Sequence, residues 1–222
     1  MRETKVVVLG AGGVGKTSLV VQFLEGFFSY TYKPTVEDCY RHTIQMPDGV
    51  FHTMEILDTA GSHHFPAMRE LSIRSGRGFV IVFSVDGLQS FHEAVQLYEL
   101  VSKIRGTQVP VILVGNKSDL VEERTVTQEM VQQITEMFQN CRYIETSAKY
   151  NINVNELFVQ LLQQIQELEQ PPAPDSSRRP SKQLSRRLSS LAVAIRRKSS
   201  NTKLPLPTTP ENTPDSTRCL IL

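Results

Sequence analysis

An α/β fold with a largely parallel sheet is the architecture this sequence predicts. Two observations carry that expectation. Short β-branched runs alternate with longer stretches of helical apolar spacing, and the strand-like runs end at glycine-rich or polar turns. The first strand, 5–10, is centred on Val6-Val-Val-Leu9, and a helix follows from Lys16. Strands 39–46 and 50–57 are joined by Pro47-Asp48-Gly49, a turn sequence that folds them into a hairpin. A helix around 66–75 precedes a strand at 78–84. A helix over 88–103 precedes a strand at 111–115, built on Val111-Ile-Leu-Val114. A helix over 127–138, a strand at 143–146 and a helix over 154–169 complete the foldable part.

Chemistry concentrates in the turns. Gly10-Ala-Gly-Gly-Val-Gly-Lys16-Thr17 lies between the first strand and the first helix and fits the phosphate-cradling pattern G-x-x-x-x-G-K-[ST]. Its glycines allow a tight turn that gathers the backbone N–H groups of Gly12, Gly13, Val14, Gly15, Lys16, Thr17 and Ser18 at a helix start, where the macrodipole favours an anion. Lys16 has the reach for β- and γ-phosphates, and the Thr17 hydroxyl suits Mg²⁺. Asp58-Thr-Ala-Gly61 follows the apolar stretch 54–57, so Asp58 stands at a strand end, where α/β sheets place ligand groups. Asp58 can hold the metal directly or through water, and Gly61 lets its N–H approach a γ-phosphate. A lone D-x-x-G is an ordinary turn; its place between the other motifs gives it weight.

Asn116-Lys-Ser-Asp119 stands at the end of the strand 111–115. A carboxylate at Asp119 accepts from both N1–H and the 2-amino group of guanine, a donor pair that adenine lacks, worth roughly 1–3 kcal/mol of discrimination by analogy with base-edge readout. Asn116 can tie this loop to the phosphate loop, and the Lys117 stem can pack on the base face. Glu145-Thr-Ser147-Ala148-Lys149 follows another strand and offers the Ala148 N–H to the guanine O6. The motifs together specify a guanine nucleotide site. Nothing in the chain indicates binding to nucleic acid.

With these residues in this order, the chain resembles the Ras family of small GTPases over about residues 4–169. The resemblance implies the P-loop small GTPase fold: a six-stranded, mostly parallel sheet with one antiparallel edge strand and helices on both faces. It implies GTP and GDP as bound nucleotides, Mg²⁺ as cofactor, an exchange factor, and effectors recruited in the GTP state. Tyr32-Lys33-Pro34-Thr35-Val36-Glu37-Asp38-Cys39-Tyr40 resembles the switch I effector segment, with Thr35 binding Mg²⁺ and the γ-phosphate in the GTP state. Phe28 falls where the family stacks an aromatic edge on guanine, with the adjacent Phe27 an open alternative. Lys33 reverses the charge that Ras carries beside the effector surface; it either shifts partner preference or is an idle surface lysine.

Ser62-His-His-Phe-Pro-Ala-Met68 looks most like the Di-Ras branch, with Rap more distant. Beside Lys16, Thr35 and Gly61 in the catalytic set, Ser62 stands where most Ras relatives carry the Gln that orients the attacking water. Serine is shorter and cannot hold that water with both a donor and an acceptor. Intrinsic turnover below the ~10⁻⁴ s⁻¹ scale of Ras is therefore expected. His63 or His64 could position the water instead, or both belong to a solvated loop. Rap relatives without the Gln rely on an activating protein that supplies an Asn, and this chain resembles them there. The alternative is a largely non-hydrolysing, GTP-bound scaffold for effectors.

The chain divides into a GTPase-like domain, 1–170, and a tail, 171–222. Eight of the twelve prolines lie in the tail, with no aromatic residue, a composition expected to be disordered. The near-neutral total of +1 hides an asymmetry: ten Lys/Arg against three Asp/Glu in the tail, leaving 14 against 20 in the domain. A basic tail suits an anionic membrane surface. Cys219-Leu-Ile-Leu222 is a C-a-a-X box whose terminal Leu favours geranylgeranylation, and the basic clusters supply the second signal that one lipid needs. The cytoplasmic face of the plasma membrane is the expected location. Cys39 and Cys141 read as reduced thiols, since no signal peptide or disulfide spacing is evident, and no stretch is long enough to span a bilayer. Leu184, Leu188, Leu191 and Ile195 at 4-3-4 spacing form either an inducible amphipathic helix, lying on lipid or binding the groove of a calmodulin-like partner, or leucines scattered in a disordered tail. Arg186-Arg-Leu-Ser189 and Arg196-Arg-Lys-Ser-Ser200 resemble basophilic kinase sites, where phosphate would oppose attachment to anionic lipid.

Overall fold

The computed structural model describes residues 3–31, 33–61 and 66–169. Tyr32, Ser62, His63, His64 and the whole tail with Cys219 lie outside the described residues. The elements run β1 (Glu3–Gly10), α1 (Lys16–Glu25), β2 (Glu37–Gln45), β3 (Phe51–Thr59), α2 (Pro66–Ser75), β4 (Gly78–Ser84), α3 (Leu88–Arg105), β5 (Val111–Asn116), α4 (Gln128–Thr135), β6 (Cys141–Glu145) and α5 (Val154–Glu169).

The six strands form one sheet in the order β2-β3-β1-β4-β5-β6. Only the β2–β3 pair is antiparallel, with Glu37 opposite Thr59 and Gln45 opposite Phe51; β1 pairs in parallel with both β3 and β4. The chain leaves β1 toward one edge of the sheet and returns on its other side at β4. Such a reversal opens a crevice at the carboxyl ends of the strands, the place where α/β sheets bind ligands.

Burial explains the strand sequences. All seven residues of β4 are buried, as a strand covered on both faces requires. On one face Val6, Val8, Met54, Ile56, Val80 and Val82 pack with α1 and α5 through Leu19, Val20, Phe158 and Leu161; α2 and α3 cover the other. β2 is an edge strand, and its alternation of exposed and half-buried residues reflects one open side. No helix among the described residues is long and apolar enough to cross a membrane.

Several boundaries differ from the sequence expectation. β2 and β3 are longer toward the cleft because their ladder continues to Glu37 and Thr59. β6 starts and ends earlier than 143–146, since its pairing with β5 spans Cys141 to Glu145. α3 continues to Arg105, where Gly106, at φ +82° with an extended ψ, stops it. α4 is the largest departure: Thr127 is its cap, accepting from the Met130 N–H, and the helix ends at Thr135 rather than near Phe138.

Candidate nucleotide and magnesium site

The loops after β1, β3, β5 and β6 border a cleft of about 740 Å³. At its phosphate end the loop 10–17 wraps around Lys16, whose ammonium donates to Gly10 O at 3.0 Å and Ala11 O at 2.8 Å. Lys16 is only 6% exposed. Burial lowers its pKa to about 8, against the opposing attraction of Asp58. Asp58, the next-to-last residue of β3, is fully buried, and burial raises the pKa of its carboxyl despite the Thr17 hydrogen bond and the Lys16 charge.

Three oxygens converge beside them. Thr17 Oγ1 donates to Asp58 Oδ2 at 2.6 Å and therefore accepts from Thr35 Oγ1, also at 2.6 Å. Asp58 Oδ1 is buried with no hydrogen-bond partner. Two hydroxyls and a carboxylate with a spare buried oxygen form a hard donor set that fits Mg²⁺. The described residues contain no group of three His, Cys, Asp or Glu that would make a dedicated metal cage. Mg²⁺ held here would complete its coordination with water and phosphate oxygens, as it commonly does.

Two glycines set the close approaches. Gly61 packs so tightly on the phosphate loop that a Cβ would lie 2.6 Å from the Gly12 nitrogen and 2.9 Å from the Ala11 carbonyl carbon. Gly15 has φ +96°, and a Cβ there would overlap Asn116 Nδ2. The phosphate and base halves thus meet at a position that only glycine fills.

Asn116 is the hinge between those halves. Its Nδ2 donates to Val14 O at 2.8 Å, while its Oδ1 accepts from Thr146 Oγ1 at 3.1 Å and from the Ala148 N–H at 3.3 Å. The Ala148 N–H expected to face a base oxygen therefore makes a long bond to Asn116. Ser147 Oγ donates to Asp119 Oδ1 at 2.6 Å, fixing the carboxylate that faces the cleft. Lys117 adopts φ +63°, and its ammonium lies 3.8 Å from Asp86. Phe28 packs against the core, Phe27 is 58% exposed, and both line the cleft with Ser18 and Lys149.

A match to a protein-family model, described as the Ras family, covers residues 5–167. The chain belongs to the Ras family. It is a small GTPase that binds GTP and GDP, and Mg²⁺, effectors and exchange factors are general to its relatives. In the stretch 33–40, Lys33, Pro34, Asp38 and Cys39 are open to solvent, and Val36 is 81% exposed. Tyr40 is half-buried, and Glu37 accepts from Ser72 Oγ at 3.1 Å, joining the start of β2 to α2.

Sequence reasoning missed Asp86, Thr146, Arg124 and Tyr143. The Arg124 guanidinium makes two 2.8 Å bonds to the Glu145 carboxylate, and Tyr143 Oη donates to the same carboxylate at 2.8 Å. Tyr143 and Glu145 share a face of β6, whereas no local spacing rule links Arg124 to Glu145, 21 residues away in the chain.

Proposed function

We propose that this protein is a membrane-anchored signalling GTPase of the Di-Ras type, with slow intrinsic hydrolysis and a GTP-dependent effector surface. Residues 1–170 would form the GTPase domain and 171–222 the basic tail. The observation that carries the reading is the convergence of Thr17, Thr35 and Asp58, with its spare buried oxygen, at one end of a cleft whose other end holds Asn116 and Asp119.

Thr17, Thr35 and Asp58, the last directly or through water, would hold Mg²⁺, which supplies charge neutralisation at the phosphates when bound. Lys16 adds a positive charge that burial leaves in need of an anionic partner. Asp119, oriented by Ser147, reads the base edge, Phe28 covers it, and the Ala148 N–H turns to its oxygen. Thr35 belongs to the effector segment as well as to the cation site, so loss of the terminal phosphate releases the segment that effectors read. Water attacks the terminal phosphorus, the bond to the bridging oxygen breaks, and GDP and phosphate leave. Ser62 is too short to orient that water, which supports slow turnover. Geranylgeranylated Cys219 and the basic clusters would hold the protein at the cytoplasmic face of the plasma membrane.

The test is the GTP/GDP ratio on protein recovered from cells, alongside single-turnover hydrolysis with and without a Rap-type activating protein. Mostly GDP, with strong acceleration, supports a regulated switch. Mostly GTP and no acceleration would instead favour a constitutively engaged scaffold.

A further inference from the structure

The base-recognition loops are braced by a closed ring of contacts that ties together the ends of β4, β5 and β6. Asp86, just beyond β4, pairs with Lys117. The adjacent Val85 carbonyl accepts from the N–H groups of Thr125 and Val126 at 2.9 and 3.0 Å, anchoring the segment that carries Arg124. Arg124 then grips Glu145 with Nη1 and Nη2 of its guanidinium. The next residue, Thr146, holds Asn116, and the Thr146 carbonyl accepts from the Ser118 N–H at 3.0 Å, which returns the ring to Lys117.

Glu145 is the junction of this ring. Its carboxylate accepts from Arg124 and Tyr143, and its carbonyl accepts from Asn153 Nδ2 at 2.8 Å. Both charged side chains are 23% exposed, so the pair is partly withdrawn from water and the two parallel bonds fix its orientation. Tyr143 is held in turn: its ring stacks on Phe83 at 6.3 Å, and its hydroxyl passes over Gly115, where a Cβ would lie 2.6 Å away. The three residues after Glu145 are the ones that matter for the base. Thr146 orients Asn116, Ser147 orients Asp119, and Ala148 presents its N–H.

We infer that Arg124, Glu145 and Tyr143 form a positioning cluster that sets how long, and how selectively, the guanine base is held. The inference rests on the base-site reading above. None of the three touches the base; they act by fixing the strand end from which Thr146, Ser147 and Ala148 project. Releasing Glu145 frees the Ser147 hydroxyl to drift from Asp119, and the carboxylate that must accept from two guanine donors loses its fixed aim. A guanine nucleotide suffers most, because it uses both donors. An inosine nucleotide, lacking the 2-amino group, suffers less.

The experiment is dissociation of fluorescent GDP and IDP from the full-length native chain, Arg124→Gln and Tyr143→Phe. Tyr143→Phe keeps the ring over Gly115 and removes only the hydroxyl, so it remains informative if Arg124→Gln fails to fold. GDP release should quicken about tenfold in Arg124→Gln and about threefold in Tyr143→Phe, from the size of the hydrogen bonds removed. IDP release should change less, so the native GDP/IDP ratio shrinks. GDP rates within twofold of native would overturn the inference. So would equal acceleration of GDP and IDP, the signature of a general fold brace. A native chain that does not prefer GDP to IDP would overturn the base-site reading itself, and the inference with it.

Discussion

Replacing Gly15 by Ala should break the joint between the phosphate and base halves of the site. Two costs add. Gly15 sits at φ +96°, a left-handed conformation that costs an L side chain about 1–2 kcal/mol. Its new Cβ would also occupy the place of Asn116 Nδ2, displacing the amide from its 2.8 Å bond to Val14 O. Asn116 is 1% exposed, so an unpaired donor there costs about 1–3 kcal/mol. The sum is about 2–5 kcal/mol. Gly13→Ala isolates the first cost, because Gly13 also has positive φ (+76°) but nothing within 4 Å of its Cβ. Urea unfolding of nucleotide-free protein in EDTA should therefore show Gly13→Ala destabilised by about 1–2 kcal/mol and Gly15→Ala by roughly 1–3 kcal/mol more. Equal destabilisation of the two variants would refute the contact between Gly15 and Asn116 as the joint.

Asp119→Asn should exchange guanine preference for xanthine preference, since the amide donates to the 2-oxo group that a carboxylate repels; competition between GDP and XDP measures it, and retained GDP preference contradicts the assignment of Asp119. The Arg124–Glu145 pair has a pH signature. Hydrogen bonds from Arg124 hold the Glu145 carboxyl below its ordinary 4.5. A depressed carboxylate stabilises the fold above its unfolded pKa and loses that contribution as pH falls through its folded value. The stability gap between native and Arg124→Gln chains should thus be full at neutral pH, begin to narrow below about 4.5 and close as pH falls through the lowered folded value; a gap that does not narrow at all on acidification contradicts it. In the tail, Ser189→Asp with Ser199→Asp should weaken binding of the lipidated protein to phosphatidylserine vesicles, at about 1 kcal/mol per positive charge neutralised near the surface. Unaltered binding would dismiss the electrostatic switch.

Much of the fold was legible because hydrophobic pattern and turn chemistry agreed. β4, α2 and α5 fall where Gly78–Ser84, Pro66–Ser75 and Val154–Glu169 were expected. The apolar spacing of α4 runs on to Phe138, but the helix ends at Thr135 and Phe138 instead stacks on Tyr98 with centroids 3.6 Å apart. The apolar pattern of β2 begins only at Cys39, because Glu37 and Asp38 are polar; pairing with β3, not burial, recruits those two residues into the strand. The site motifs were legible as local strings. The geometry that couples them was not: Gly15 against Asn116, Asp86 against Lys117 and Arg124 against Glu145 are tertiary contacts. Pattern reading sees residues that share an element; it has no access to loops brought together by the strand order.

The most direct test of the account is single-turnover GTP hydrolysis by the native chain beside Ser62→Gln, without any activating protein. The account predicts a native rate below the ~10⁻⁴ s⁻¹ scale of Ras, and a clear acceleration when the longer side chain restores water positioning. A native rate at or above that scale, or no gain in Ser62→Gln, would contradict it.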